Sequence, residues 1–145
     1  VYREAVKLSD SSRAPADRVK AVGENTHGRV RRSLVFDTAM LFRFSAVTWN
    51  AHRIHYDWPY ATGTEGYPGL VVHGPLLAAL LALEAARELG QLKRAEFRAQ
   101  APVFVDDSVD ILGEASADGS FTGHLQRPDG VIAMSLVAET SFDDR

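Results

Sequence analysis

Cysteine is absent from this 145-residue chain. A disulfide framework and a thiolate-held metal are thereby excluded, and the absence fits a reducing compartment, with the cytoplasm as the expected location. Long apolar runs are also missing. The longest, Gly69–Leu83, is broken by His73 and Pro75 and stops at Glu84, short of the roughly 20 residues a membrane span needs. The N-terminus carries no signal-peptide pattern, so no membrane association is expected. A nucleic-acid signature is lacking as well. Residues 1–32 hold 8 Lys and Arg against 4 Asp and Glu, whereas residues 33–145 hold 8 against 15, so the net charge of −3 hides a basic arm. That arm lacks interleaved aromatics and Lys/Arg blocks, and it reads as a solvated linker with no nucleic-acid partner.

What is present is ordinary soluble-protein composition, 46% hydrophobic and 24% charged, at a length that suits one domain with a single core. The chain opens on Val1 instead of Met, so a fragment, a processed product or half of a longer polypeptide is expected. Residues 1–30 mix Ser, Asp, Arg, Pro, Gly and Asn without a sustained period and read as a linker or N-terminal arm. The domain proper is assigned to residues 31–145.

Ser33–Phe36 suits a first strand, and Asp37 or Thr38 suits the cap of a short helical turn carrying Met40, Leu41, Phe42 and Phe44. A polar cluster follows, in which Asn50, His52, Arg53, His55 and Asp57 alternate with Trp49, Ile54 and Tyr56. Thr62–Gly69 reads as a loop. From Gly74 to about Gly90 the pattern predicts one helix, with Pro75 in its first turn and Gly90 as its stop. The first half of that helix is apolar on every face, so burial on all sides is expected. Arg94–Val105, Ser108–Ser116, Ser120–Gln126 and Val131–Thr140 read as strands, the last three joined by turns at 117–119 and 127–130. One early strand, one long helix and four antiparallel strands predict an α+β domain whose sheet wraps the helix.

That architecture resembles the hot-dog fold, and the motifs narrow the resemblance. Residues from about Phe36 to Thr140 resemble the MaoC-like hydratases and dehydratases, enzymes acting on enoyl thioesters. His55-Tyr56-Asp57 is similar to the family's His-x-Asp, and Val72-His73-Gly74 to the start of its long helix. Phe97 and Pro102-Val103-Phe104-Val105-Asp106-Asp107 are similar to the strand after that helix. Phe44–Asp57 resembles most the branch holding the 3-hydroxyacyl-thioester dehydratases and the mesaconyl-C4-CoA and itaconyl-CoA hydratases. Val1–Glu4 resembles the end of a preceding hot-dog unit, which implies the second half of a double hot-dog or a stand-alone version of it. One position departs from the better-known members: Asn50 stands where they carry Asp, five residues before the His. Asparagine does not exchange a proton at neutral pH.

The resemblance implies a hydro-lyase that adds or removes water across the 2,3 double bond of an enoyl thioester. Such a reaction needs a base for water, an acid for the α-carbon and donors for an enolate oxygen. His55 is the expected general base, since an imidazole works in both directions near neutrality. Asn50 is expected to orient the water through its side-chain carbonyl. Gly74 is expected to offer its backbone N–H to the thioester oxygen, where the helix dipole favours developing negative charge and the missing side chain admits the substrate. His52 and His73 are read as structural hydrogen-bonding groups or substrate contacts, and Arg53 as a ligand for a substrate carboxylate or a CoA phosphate, or else a solvated arginine. His52, His55 and Asp57 could also be three metal ligands, but the family uses none, and no metal or cofactor is expected. The expected partners are an acyl-CoA or acyl carrier protein thioester and a second hot-dog unit, as a homodimer or a second domain. The alternatives are a hot-dog acyl-CoA thioesterase and a non-catalytic hot-dog partner subunit.

Overall fold

The computed structural model describes residues 29–140. The arm assigned to residues 1–30, Val1–Glu4 included, lies outside the described residues except for Arg29 and Val30, which belong to the first strand. Five strands, β1 (Arg29–Val35), β2 (Leu92–Ala99), β3 (Ser108–Ala115), β4 (Ser120–Gln126) and β5 (Ile132–Thr140), form one antiparallel sheet in the order β1-β3-β4-β5-β2. Three helices, α1 (Thr38–Thr48), α2 (Trp58–Gly63) and α3 (Gly74–Leu89), fall between β1 and β2, with a 3₁₀ turn at Arg53–His55. The domain is α+β, with a sheet packed against one long helix.

Helix α3 forms where the sequence places it, and Gly90 stops it at φ 79, in the half of backbone space that glycine enters without a Cβ penalty. Leu77, Leu81 and Ala85 recur at a spacing of four and are buried against Ile111, Phe121, Leu125, Leu136 and Ala138 of the sheet. Each such leucine contributes on the order of 1.5–3 kcal/mol by burial. Gly113 and Gly123 pair across β3 and β4, and the Phe121 ring fills the slot left by their missing side chains. Glu84, buried on α3, is held by Arg32 at 3.1 Å and Arg87 at 2.6 Å, so the helix is also tied to β1.

Three expectations need correction. Burial of α3 on all sides does not occur: Pro75, Ala79 and Leu83 line an outward stripe, and Leu83 is 46% exposed. A single five-stranded sheet covers only one side of a helix, and the other apolar side stays open. The strand expected over Arg94–Val105 ends at Ala99. Pro102 has no N–H for a ladder, and both Gln100 and Ala101 turn their N–H groups onto the Ala133 carbonyl. The stretch beyond instead pairs with the segment before α3, Val72 N–H to Val103 O at 2.8 Å and Val105 N–H to Leu70 O at 2.9 Å. Finally, the loop expected from Thr62 begins inside a helix, because Asp57 caps α2 by accepting the Tyr60 N–H at 3.1 Å.

Candidate active site

Helix α1 starts at Asp37, whose carboxylate accepts the Met40 N–H at 2.7 Å. It ends at Trp49, which takes a left-handed conformation at φ 54 and sends its N–H back to the last turn. This is a costly conformation for a bulky side chain. It reverses the chain so that Asn50 follows at once, with its N–H on the Ser45 carbonyl at 3.0 Å. The Asn50 side-chain oxygen then accepts the His52 N–H at 3.0 Å, and the Tyr56 hydroxyl donates to the Ala51 carbonyl at 2.9 Å. These short-range bonds set the path of the polar cluster into the 3₁₀ turn.

His55 leaves that turn and is buried. Its Nδ1 lies 2.7 Å from the Val71 carbonyl, while the Val71 N–H donates to the Ile54 carbonyl at 3.0 Å. The pairing of residues 70–72 with 103–105 fixes Val71, and Val71 fixes His55. Burial pushes the His55 pKa below the usual imidazole value and the nearby His52 pushes the same way, opposed by the bond to Val71.

Beneath His55 lies His73, the residue before α3. The two rings stack with centroids 3.7 Å apart and planes 18° from parallel. His73 has no exposed surface, its Nε2 lies 2.8 Å from the Ser45 hydroxyl, and Phe44 packs at 4.8 Å. Burial, aided by His55, lowers its pKa to about 4, so the ring is neutral at pH 7. Gly74 comes next, as the first residue of α3, and among the described residues its backbone N–H donates to no group. His55, His73 and Gly74 thus meet at the helix start, brought there by two segments, the 3₁₀ turn and the chain entering α3.

The remaining candidates stand further out. His52 is exposed and meets His55 edge-on at 5.7 Å. Arg53 is exposed, gives Nε and Nη2 to Asp57 at 2.9 and 2.7 Å, and lies over the Tyr60 ring at 4.2 Å. The partner carboxylate is correspondingly held below the ordinary aspartate range. His52, His55 and Asp57 do not converge, and no His/Asp/Glu group among the described residues has the arrangement of a metal site. Asn50 borders a cavity of about 340 Å³ shared with Phe42, Ala46, Trp49 and Tyr56, which does not include His55 or Gly74. Ser45 was not singled out from the sequence. The only signal for it was a small hydroxyl between Phe44 and Ala46 in a helix that is otherwise largely apolar.

Comparison with known proteins gives these features a context. The profile of the hydroxyacyl-thioester dehydratase type 2 family matches residues 1–105. The chain is 48% identical over 115 residues to the mesaconyl-C(4)-CoA hydratase of Chloroflexus aurantiacus, covering 78% of this chain and 40% of that protein. It is 44% identical over 77 residues to the mitochondrial hydroxyacyl-thioester dehydratase type 2 of Schizosaccharomyces pombe, covering 50% of this chain and 25% of the relative. The chain therefore spans well under half the length of these relatives. Among solved structures, the (R)-hydratase from A. caviae superposes with a TM-score of 0.64 at 23% identity, covering 79% of this chain and 96% of the other. The ChsH1–ChsH2 complex from Mycobacterium tuberculosis gives 0.63 at 20% identity, covering 77% and 94%. At these identities the structural likeness shows the fold, which is the hot-dog fold.

Proposed function

The chain belongs to the hydroxyacyl-thioester dehydratase type 2 family, and from that premise we propose that it hydrates enoyl thioesters, or dehydrates their 3-hydroxy forms, with His55 as the acid/base. One observation carries the reading. The bond from His55 Nδ1 to Val71 leaves the lone pair on Nε2, on a ring stacked on the residue preceding a helix-start N–H that has no partner among the described residues. In hydration, His55 Nε2 takes a proton from water while the water oxygen bonds to C3. The electron pair moves through C2 onto the thioester oxygen, where the Gly74 N–H and the dipole of α3 stabilise it. His55 then returns the proton to C2. A backbone donor used in this way typically contributes roughly 2.7–4 kcal/mol. Asn50 orients the water. One lone pair of its side-chain oxygen is already occupied by the His52 N–H, so the second is the one assigned to that task.

The thioester handle we assign is CoA, with acyl carrier protein as the competing handle, and the acyl group is short and branched or dicarboxylic. A 48% identical relative whose name specifies a C4-linked mesaconyl-CoA supports this choice. Arg53 is not given a substrate role, because its charge is already paired with Asp57. We further assign a second hot-dog unit, a homodimer mate or neighbouring domain, to the open side of α3 and the exposed edge strand β2. Two of the structural neighbours are complexes, ChsH1–ChsH2 and HadBC. Among the described residues no helix is long and apolar enough to cross a membrane. With a cysteine-free sequence, we take the cytoplasm as the location.

The test is the purified full chain against crotonyl-, mesaconyl- and itaconyl-CoA. Loss of enoyl absorbance without thiol release supports the proposal. Prompt thiol release from a saturated acyl-CoA, with no hydration, would replace it with a thioesterase. Turnover that appears only on adding a second hot-dog protein, and survives His55→Ala, would make the chain a non-catalytic partner.

A further inference from the structure

We propose that His73 is a positioning residue for His55: an uncharged, flat platform, locked by Ser45, that fixes the plane of the catalytic imidazole. The inference rests on the reading of His55 as the general base. A single hydrogen bond from Nδ1 to Val71 sets where that nitrogen points but leaves the ring free to tilt about the bond. A parallel ring 3.7 Å away removes the tilt and so aims Nε2. His73 is itself immobile. Phe44 packs at 4.8 Å, Ser45 holds Nε2 at 2.8 Å, and the backbone enters α3 immediately afterwards.

The same surroundings argue against a direct proton-transfer role. His73 is wholly buried, its Nε2 is committed to Ser45, and its Nδ1 has no hydrogen-bond partner among the described residues. A buried nitrogen without a partner costs stability that an apolar ring would not. A platform under a base must also stay neutral. When His55 takes a proton from water it becomes cationic, and a charged ring stacked on it would oppose that step. Burial and the positive end of the α3 dipole both disfavour charge on His73. The titratable groups packed on His55 are His73 beneath and His52 at the edge.

The experiment compares the full chain with His73→Ala and with the double variant Ser45→Ala/His73→Phe. Crotonyl-CoA hydration and the NMR titration of the His55 Cε1 proton are both followed. The alanine variant admits water and frees the ring. We expect the His55 midpoint to rise towards about 6.5 and kcat to fall about tenfold or more with KM within about threefold. The double variant restores a flat neutral ring and leaves no orphaned hydroxyl, so kcat and midpoint return to within about threefold and about 0.3 units of the unaltered protein. If His73→Ala changes neither quantity, the inference is overturned. A double variant as slow as the alanine variant also overturns it, because His73 would then act through its own nitrogen. Should His73→Ala fail to fold, Ser45→Ala takes its place, with the same upward midpoint shift expected and an unchanged midpoint overturning the inference. If the unaltered chain hydrates no enoyl thioester, the functional reading fails while the titration still decides whether His73 positions His55.

Discussion

The Nδ1 atom of His55 lies 2.7 Å from the carbonyl oxygen of Val71. A carbonyl can only accept, so the ring proton sits on Nδ1 and Nε2 carries the lone pair. One bond to the backbone thus selects the tautomer a general base needs. His55→Gln keeps a polar side chain of similar reach but cannot shuttle a proton near neutrality. Its kcat for hydration is expected to fall by about 10²–10⁴, measured as loss of enoyl absorbance at saturating substrate. Activity within about threefold of the unaltered protein would remove His55 from the chemistry.

The direction of the His55 shift sets a pH profile. Below its pKa the ring holds a proton on Nε2 and cannot take one from water. Since burial lowers that pKa from the usual value, kcat/KM for hydration is expected to be flat through neutrality and to fall only below about pH 6.5. An acid limb centred above pH 7 would contradict the assignment.

His73 makes a separate prediction, about stability. Its folded-state pKa is about 4, against roughly 6.5 in an unfolded chain. The unfolded chain therefore binds more protons between these values, and stability rises with pH across that window. The contribution is fully present above about pH 6.5 and lost as pH falls through 4. Integrated over the shift, it amounts to about 3 kcal/mol. Urea midpoints from pH 7.5 to 4 should show the decline, and His73→Phe should flatten it. Equal slopes in the two proteins would refute this account.

The glycine pair in the sheet gives a prediction independent of chemistry. An alanine Cβ at Gly123 would lie 2.6 Å from the Phe121 ring and 3.2 Å from the Leu112 carbonyl oxygen. Neither a buried ring nor a ladder carbonyl yields easily, so Gly123→Ala should destabilise the fold by about 1–3 kcal/mol. Thermal unfolding with the same substrate KM in the folded fraction is the expected pair of observations. An unchanged melting temperature would mean that Phe121 does not fill the slot.

Much of this was readable from the sequence, for identifiable reasons. Long patterned segments such as Gly74–Leu89 and Ser120–Gln126 impose their own period, and the observed elements follow it closely. Helix α2 was not legible because the six residues Trp58–Gly63 are too few to show a period and carry Pro59 and Gly63. The left-handed Trp49 has no local signal either, since nothing in a tryptophan favours positive φ. Among the candidate residues, His55, Asn50 and Gly74 stood out by resemblance to the family's motifs. Ser45 did not, because its role comes from a contact with His73 across 28 residues of sequence. Nor could the sequence say that Asp57 would claim the guanidinium of Arg53, a pairing that depends on the backbone of the 3₁₀ turn and the start of α2.

Gly74 separates folding from function. Its backbone conformation is not one that requires glycine, and a Cβ added there would meet nothing within 4 Å. The fold therefore tolerates alanine at this position, and helix propensity mildly favours it. A substrate oxygen approaching the Gly74 N–H would meet that Cβ, or the thioester behind it would. Gly74→Ala is accordingly expected to melt at or slightly above the unaltered temperature while kcat/KM for crotonyl-CoA falls about tenfold or more, a loss of at least about 1.4 kcal/mol in transition-state stabilisation. Calorimetry and initial rates on the same preparation check both halves. Full activity in a folded alanine variant would place the thioester oxygen elsewhere, whereas unfolding would show that the open space beside Gly74 is closed by another part of the assembly.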